Sequence, residues 1–305
     1  MMASYKEGLE LSAKLKRFTM AGRIYIRIGL YHHGYANYAL AEQNYLKAVD
    51  EFKKDKNLRE EAGVYTNLGA LYFSILDNIK ALEANERAIT LLTKLGVEDL
   101  SNLYYNTANI YKLQGRYADA VYFTNKALPF FIKNGERSLG VYVANQVLGE
   151  IYLDVPKGQW KELGIVDNAD RMKKASGYLN RALWATKNTN GEYDMANASQ
   201  AGDIHISLGT LAMQNNDLNL AESSFKLALK TGEDINDQSN IGNAYLALGK
   251  LKYQKKDLAN AISDLNLAAQ IAEKENDLSS KLDIYDYLSR AYEATGEYTK
   301  ALEAF

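Results

Sequence analysis

The chain has 305 residues, of which 47% are hydrophobic and 24% are charged, and only 2 are proline. Its formal net charge is −2 and its pI is about 6.0, so no overall field favours nucleic acid or an anionic membrane. The absence of cysteine excludes disulfides, thiolate catalysis and cysteine metal sites. The first residues contain no apolar run long enough for a signal peptide or a membrane span, so we expect a soluble protein without membrane insertion. The cytoplasm is the default compartment, and the periplasm is the alternative if an upstream signal sequence has been removed.

Along the chain, an alanine recurs seven residues before a second alanine. The pairs are Ala41/Ala48, Ala81/Ala88, Ala120/Ala127, Ala175/Ala182, Ala221/Ala228 and Ala261/Ala268, and a seventh copy begins at Ala301. Successive pairs lie 39 or 40 residues apart, except around the fourth copy, where the intervals are 55 and 46 residues. A fixed period of this size indicates a stacked array of helical repeats.

Six of the copies carry a small residue twelve positions before the first alanine, and a ring four positions before that small residue. The small residues are Gly29, Gly69, Ala108, Gly209, Gly249 and Ser289, and the rings are Tyr25, Tyr65, Tyr104, His205, Tyr245 and Tyr285. These offsets place ring and small residue on one face of a first helix, and the alanines on a second helix. Between the alanines, five copies have a bulky residue: Tyr45, Leu179, Phe225, Leu265 and Phe305. Because glycine costs about 1 kcal/mol relative to alanine inside a helix, its retention predicts close approach of a neighbouring helix backbone.

Turn-forming residues separate the two helices of each copy. They are Gly34, Asp77-Asn78, Gln114-Gly115, Asn215-Asn216-Asp217, Lys256-Asp257 and Thr295-Gly296. The fourth copy keeps Gly149, Tyr152 and its alanines, but residues 153–170, LDVPKGQWKELGIVDNAD, are inserted between its helices. We interpret the insertion as a long loop with a short helical turn, packed through Trp160 and lying outside the stack. The alternative is an extra contact element for a partner or a second subunit.

This pattern resembles the tetratricopeptide repeat family over nearly the whole chain. The ring, leucine, small residue, tyrosine, glycine, tyrosine and alanine of that family are reproduced in YTNLGALYFSILDNIKALEANERAI, YNTANIYKLQGRYADAVYFTNKAL and YLSRAYEATGEYTKALEAF. The copies are longer than the 34-residue consensus. In this they are similar to the repeats of kinesin light chains, of G-protein-modulator scaffolds and of bacterial sensor and regulator segments. The resemblance implies an all-α fold, a right-handed superhelical solenoid of antiparallel helix pairs with about seven repeats.

We predict a single solenoid over residues 1–305. Its parts are a partial repeat helix at 1–20, repeats at 21–60, 61–99, 100–137, 138–194, 195–237 and 238–277, and a truncated last repeat at 278–305. The array looks cut at both ends, which predicts a fragment of a longer protein whose uncapped ends allow self-association. The alternative is that residues 3–18 form a natural cap.

Catalytic motifs are absent: there is no GK[ST] phosphate loop, GxSxG elbow, HExxH or EF-hand loop. We therefore predict no enzyme activity, no cofactor and no metal site. His205 occupies a ring position and His32 a position where other copies have tyrosine, so we interpret both as packing residues. The remaining histidine, His33, is expected to face the groove. Many of the 23 tyrosines also fall at packing positions, which favours a core role over nucleotide stacking.

The resemblance implies a binding groove lined by first-helix residues two, three and six positions before the small residue, and one and four positions after it. In the first three copies the polar residues at these positions are Arg23, Arg27, Asn67, Asn102, Asn106, Asn109 and Lys112. Asparagine amides bond to a peptide backbone and arginines suit carboxylates, so we predict an extended or helical peptide with acidic residues here. The match to the carboxylate-clamp subfamily is incomplete, because the copies come in another order and a Lys–Asn pair is missing. The alternatives are a solvated face for the arginines and bonding between neighbouring helices for the asparagines.

The same offsets give a more acidic surface further along the chain. They select Gln146, Glu150, Asp203, Thr210, Asn243, Lys250, Asp283, Asp286, Arg290 and Glu293. The functional prediction is a protein–protein interaction scaffold with no chemistry of its own. The alternative is a sensor or regulatory segment of a larger signalling protein, in which ligand binding controls a linked domain. A histidine kinase or DNA-binding domain encoded beyond Phe305 would favour that alternative.

Overall fold

The computed structural model describes residues 2–188, 190–191 and 197–304, and these residues form one leading helix followed by seven helix pairs. The leading helix, α1, is Met2–Lys14. The pairs are α2 Phe18–Gly34 with α3 Tyr38–Lys54, α4 Leu58–Ser74 with α5 Asn78–Lys94, α6 Ser101–Leu113 with α7 Tyr117–Lys133, α8 Leu139–Asp154 with α9 Asn168–Ala185, α10 Ala198–Gln214 with α11 Leu218–Ile235, α12 Gln238–Gln254 with α13 Leu258–Lys274, and α14 Leu278–Thr295 with α15 Tyr298–Ala304. The predicted all-α solenoid of antiparallel helix pairs is confirmed. None of the described helices is both long and apolar enough to cross a membrane.

The helices are grouped in two compact units, Met1–Phe130 and Phe131–Phe305. In the first unit, α1 packs on α2, the pairs α2–α3 and α4–α5 pack internally, and α3 and α5 each contact the helix that follows. In the second unit the four pairs from α8 to α15 pack internally. There the first helices α8, α10, α12 and α14 also contact one another in that order, so they form a continuous layer.

The predicted repeat boundaries lie close to the helix ends. The boundaries at 21 and 61 fall three residues inside α2 and α4, which begin at Phe18 and Leu58. The side chain of Asn57 accepts a hydrogen bond from the backbone amide of Glu60 and so starts α4 before its first packed residue. A periodic apolar pattern locates the packed face of a helix, whereas the capping residue determines where the helix begins.

The paired alanines form the centre of the core. Both members of all six pairs are 0% exposed, which explains why no larger residue occupies these positions. The bulky residues between them, Tyr45, Leu179, Phe225 and Leu265, are also buried, while Phe305 lies outside the described residues. His205 is buried as predicted for a packing position, and burial together with the nearby charge of Lys187 lowers its pKa.

The small residue of the first helix makes room for the bulky side chain of its own repeat. A Cβ added at Gly29 would lie 2.5 Å from Cε1 of Tyr45, and one added at Gly249 would lie 2.7 Å from Cγ of Leu265. The expected close approach of a neighbouring helix backbone is also present, since an added Cβ would lie 3.4 Å from the carbonyl oxygen of Ala261 at Gly249 and 3.2 Å from the amide nitrogen of Leu179 at Gly149, but the nearest atoms belong to a side chain. The ring or branched side chain enters the space that the missing methyl group leaves.

One residue with a left-handed backbone ends the first helix in six of the repeats. It stands five positions before the first alanine, and the six residues are Ala36, Leu76, Gly115, Asn216, Lys256 and Gly296, with φ between 57° and 80°. Gly34 was predicted as a turn residue, but it is the last residue of α2, and Ala36 makes the turn instead. The left-handed residue lets the chain reverse within two or three residues after the helix ends.

The insertion in the fourth repeat is folded against its own helices. It is shorter than residues 153–170, because α8 continues to Asp154 and α9 begins at Asn168. A 3-10 turn covers Lys157–Gln159, and the indole nitrogen of Trp160 donates to the carbonyl of Val155 at 3.1 Å. The short helical turn and the packing through Trp160 agree with the interpretation of this segment as a loop.

A buried arginine at the start of α9 joins that helix to α8 and α10. The guanidinium of Arg171, at the start of α9, donates to the backbone carbonyl of Tyr152 at 2.9 Å and to the side chain of Gln214 at 3.0 Å. Burial lowers the pKa of Arg171, but guanidinium remains charged in proteins. Arg171 therefore connects the end of α8 with the end of α10.

Candidate functional site

A cavity of about 390 Å³ opens on the layer of first helices in the second unit. We call it the acidic cavity, and its polar lining includes Gln146, Glu150, Asp203, Ser207, Thr210, Asn243 and Lys250. Residues of α8, α10, α12 and α14 contribute, and every lining residue except Phe225 stands at one of the groove offsets. The register therefore selects one connected surface across four consecutive repeats.

The apolar part of the acidic cavity comes from both helices of the fifth repeat and from the repeats that follow. Phe225 projects from α11 and is buried against Gly209, whose added Cβ would lie 2.6 Å from Cδ1 of the ring. Ile206, Leu246 and Tyr287 line the cavity on α10, α12 and α14. The cavity thus combines apolar walls with a few polar groups, which is the composition of most small-ligand sites.

Asp203 is the carboxylate with the most perturbed ionisation in this cavity. Burial, together with the nearby charges of Asp237 and Glu150, raises its pKa to about 6. Within the described part of the chain, no donor makes a hydrogen bond to the Asp203 carboxylate, since Ser207 bonds only to its backbone carbonyl, at 3.2 Å. The side chain is only partly buried, so its carboxylate can accept a hydrogen bond from a ligand in the cavity.

The other charged groups around the cavity are already engaged. Glu150 accepts a hydrogen bond from the amide of Gln146 at 3.0 Å. Lys250 forms an ion pair with Asp283, and its Nζ lies 5.1 Å from the centroid of the Tyr287 ring. The one cation that lines the cavity is therefore offset by Asp283, and Glu150 and Asp203 leave the described cavity lining negative.

Asp237 adds a fixed negative charge near Asp203. Burial acts to raise its pKa, but hydrogen bonds from Ser199 and Asn240 reverse the effect and lower it. The Ser199 hydroxyl donates to its carboxylate at 2.6 Å. Asp237 consequently stays ionised while Asp203 titrates.

In the first unit, the two arginines predicted for the groove have different surroundings. Nη2 of Arg23 lies 2.6 Å from Oε1 of Glu60 on α4, so its charge is offset by a neighbouring repeat. Arg27 is exposed one turn further along α2. The structure therefore places Arg27, rather than Arg23, where its charge faces solvent without such an offset.

Two of the predicted asparagines line a smaller cavity of about 210 Å³ in the first unit. Asn106 and Asn109 lie on α6, and Ser74 of α4 and Asn85 of α5 complete its polar lining. The amide of Asn109 donates to the carbonyl of Tyr105 at 3.2 Å, one turn earlier in its own helix. Asn67, Asn102 and Lys112 do not line this cavity, so the structure brings together only part of the predicted set.

The acidic cavity contains residues that reasoning from the sequence did not place in the site. The offsets select its polar residues, but the site was predicted over the first three copies. Phe225 was missed because it belongs to a second helix. Tyr287 stands at a groove offset, two positions before Ser289, but was not named among the groove residues. The available signal was the group of acidic residues at groove offsets from the fourth copy onward.

The comparisons with known proteins agree with the repeat architecture. A family model described as "Tetratricopeptide repeat" matches residues 242–275, the helix pair α12 and α13. Comparison with curated proteins gave no match. Among solved structures, the apo form of RapI is 16% identical with a TM-score of 0.66, and the alignment covers 93% of this chain and 94% of RapI.

Two further crystal structures share the architecture. A tetratricopeptide repeat protein from Parabacteroides merdae ATCC 43184 is 16% identical with a TM-score of 0.56, covering 93% of this chain and 98% of that one. A Rap protein complexed with Competence and Sporulation Factor is 16% identical with a TM-score of 0.54, covering 92% of this chain and 77% of that one. At these identities the similarity shows the fold alone.

Proposed function

Because this chain is a tetratricopeptide-repeat protein, we propose that it is an interaction scaffold that binds a peptide segment of a partner protein over the first helices of its repeats. The acidic cavity is the observation that carries the proposal. Its walls come from four consecutive first helices and from Phe225 on α11, and its polar groups stand at the offsets that the repeat leaves free of packing. An elongated ligand that crosses several repeats fits this arrangement better than a compact one.

The composition of the cavity supports a peptide. Gln146 and Asn243 offer amides that both donate and accept, which suits a peptide backbone, and Ile206, Met213 and Leu246 offer apolar contact to side chains. The Rap protein of similar fold, which was crystallised with Competence and Sporulation Factor, shows that a related architecture holds a ligand.

The residues predicted in the first unit belong to the same proposal as a second contact surface. Arg27 is exposed, and Asn106 and Asn109 border the smaller cavity, so an acidic peptide segment would find a cation and amides there. Titration of acidic peptides against Arg27→Glu and Asn106→Ala tests this surface separately. Unchanged affinity in both variants would remove it from the proposal.

The main test is a selection of peptides from a random library against the intact protein, followed by titration of the selected peptides with Thr210→Arg. Thr210 lines the acidic cavity, and its hydroxyl bonds only within its own helix, to Ile206 at 2.9 Å. A matched control is Thr231→Arg on α11, whose hydroxyl bonds in the same way to Leu227 at 2.8 Å. We expect Thr210→Arg to weaken binding about tenfold or more, because the arginine occupies the cavity, and Thr231→Arg to bind normally. Equal binding by both variants, or no selected peptide at all, would overturn the proposed function.

A further inference from the structure

We propose that the acidic cavity binds a lysine or arginine side chain of the peptide, held between the carboxylates of Glu150 and Asp203. The inference rests on the proposed function and adds the chemistry of one contact. It differs from the sequence-based expectation, in which the ligand is an acidic peptide over the first three repeats.

The charges around the cavity favour a cation. Glu150 and Asp203 line it, and Asp237 lies close enough to affect the ionisation of Asp203. Lys250 is the one cation among the lining residues that the structure describes, and its ion pair with Asp283 offsets that charge. A carboxylate on the ligand would face like charges, whereas an ammonium or guanidinium would meet opposite ones.

Hydrogen bonding points to the same class of ligand. The Asp203 side chain is only partly buried, and among the described residues no donor makes a hydrogen bond to its carboxylate, so the carboxylate is accessible to a ligand in the cavity. An ammonium carries three donors and a guanidinium five, with no acceptor that would compete. Such a group would donate hydrogen bonds to Asp203. These charge-assisted hydrogen bonds would favour the ionised form of both carboxylates.

The apolar wall fits the stem of a long basic side chain. Lysine and arginine pack their methylene stems on apolar surface while the charged end seeks a polar partner. Met213 and Leu246 offer that surface next to Asp203 and Glu150. The volume of about 390 Å³ lies in the range of about 300–1,000 Å³ that is usual for ligand pockets, so one side chain and its flanking backbone can be accommodated.

A metal ion is a weaker candidate for the same carboxylates. Among the residues that the structure describes, no group of three or more His, Asp or Glu side chains is arranged to hold a metal. Hard divalent cations prefer six or more oxygen ligands, and two carboxylates beside apolar walls do not supply them. An organic cation with a long apolar stem matches both parts of the lining.

The experiment compares two peptide libraries that are blocked at both ends, so that neither carries a terminal charge. One library contains a single lysine or arginine at varied positions among uncharged residues, and the other replaces that residue by glutamate. The protein variants are Asp203→Asn and Glu150→Gln, which keep the size of each side chain. Glu233→Gln is the matched control, because Glu233 is exposed on α11 and lies outside the cavity.

We expect peptides from the basic library to bind the native protein and the Glu233→Gln control equally, and to bind Asp203→Asn and Glu150→Gln about tenfold more weakly. Binding of both libraries with similar affinity, or equal binding of the basic library to all four proteins, would overturn the inference and leave the proposed function standing. If neither library binds, the result would count against both the inference and the proposed function, unless unblocked peptides without basic residues bind. That last result would assign the carboxylates to a peptide amino terminus and would overturn the side-chain proposal.

Discussion

The amide of Asn85 donates a hydrogen bond of 3.3 Å to the hydroxyl of Thr107, joining the second helix of one repeat to the first helix of the next. Asn85 is 1% exposed and occupies the position that holds tyrosine, leucine or phenylalanine in four other repeats. Its Oδ1 faces Gly69 and has no hydrogen-bond partner. The smaller cavity lies beside it, because asparagine fills less space than an aromatic ring.

We expect Asn85→Leu to raise the free energy of unfolding by about 1 kcal/mol, since it replaces a buried amide with an unpaired oxygen by an apolar residue. Glycine and leucine already pack together in this way at Gly149 and Leu179. Thr107 would keep its bond to the carbonyl of Leu103, at 2.8 Å. Urea unfolding followed by circular dichroism measures the change, with Asn85→Ala expected to destabilise. A loss of stability in Asn85→Leu comparable to that of Asn85→Ala would show that the hydrogen bond to Thr107 dominates.

The raised pKa of Asp203 predicts how stability depends on pH. The pKa of the Asp203 carboxyl is about 6 in the folded protein, against an ordinary value of 3.8. The folded state therefore holds the proton more tightly, and the stability associated with this group is lost as the pH rises from about 4 to about 6. The charged groups around the Asp203 carboxyl are Glu150 on α8, Asp237 before α12 and Lys250 on α12.

Asp203→Asn removes this titration, so we expect the variant to be more stable than the native protein at neutral pH by roughly 1–2 kcal/mol. The difference should disappear below about pH 3, where the native carboxyl is protonated in both the folded and the unfolded state. Thermal unfolding at a series of pH values measures both ends of this range. A variant that is equally or less stable at neutral pH would show that Asp203 has a stabilising partner.

The contact between Gly209 and Phe225 predicts a steric effect. A methyl group at Gly209 would collide with the buried ring of Phe225, whose Cδ1 atom would lie 2.6 Å from it. We expect Gly209→Ala to lower the free energy of unfolding by about 1–3 kcal/mol. Gly177 on α9 is the control, because no atom lies within 4 Å of its added Cβ. Gly177→Ala should instead stabilise by about 0.5–1 kcal/mol through helix propensity, and a loss in both variants would refute the steric explanation.

The left-handed turn at Leu76 predicts a stabilising substitution. Leu76 has φ of 60° and is 75% exposed, so its side chain contributes strain without much burial. We expect Leu76→Gly to raise the free energy of unfolding by about 1 kcal/mol. Leu95 is the control, because it follows α5 with φ of −86°, where glycine relieves no strain. Leu95→Gly should therefore lower the free energy of unfolding. If chemical denaturation shows both leucine variants losing stability, backbone strain at Leu76 is not significant.

The repeat register could be predicted from the sequence because it depends on residue size. Alanines that are fully buried, and glycines that face a ring, tolerate no larger residue, so they recur at fixed positions. The turn at Ala36 escaped prediction because the left-handed conformation falls at a fixed place in the repeat whatever the residue type. Lysine and leucine adopt it elsewhere in the chain at the same place.

The candidate site was less predictable because it depends on contacts between repeats. Groove offsets describe one helix at a time, so they could not show that Arg23 is paired with Glu60 of the next repeat or Lys250 with Asp283. The offsets also do not show how deep the surface is at any position. The acidic cavity forms where the side chains at neighbouring offsets leave space above Phe225, and that space is a property of several helices together.

The walls of the acidic cavity belong to four consecutive repeats, whereas most packing in the stack joins only adjacent helices. A ligand in the cavity would therefore link helices of different repeats that otherwise unfold locally, one repeat at a time. Opening any one of these repeats would then require the ligand to leave. Occupancy would convert a chain of separately opening segments into one cooperative element, with amide exchange slowed together in α8, α10, α12 and α14.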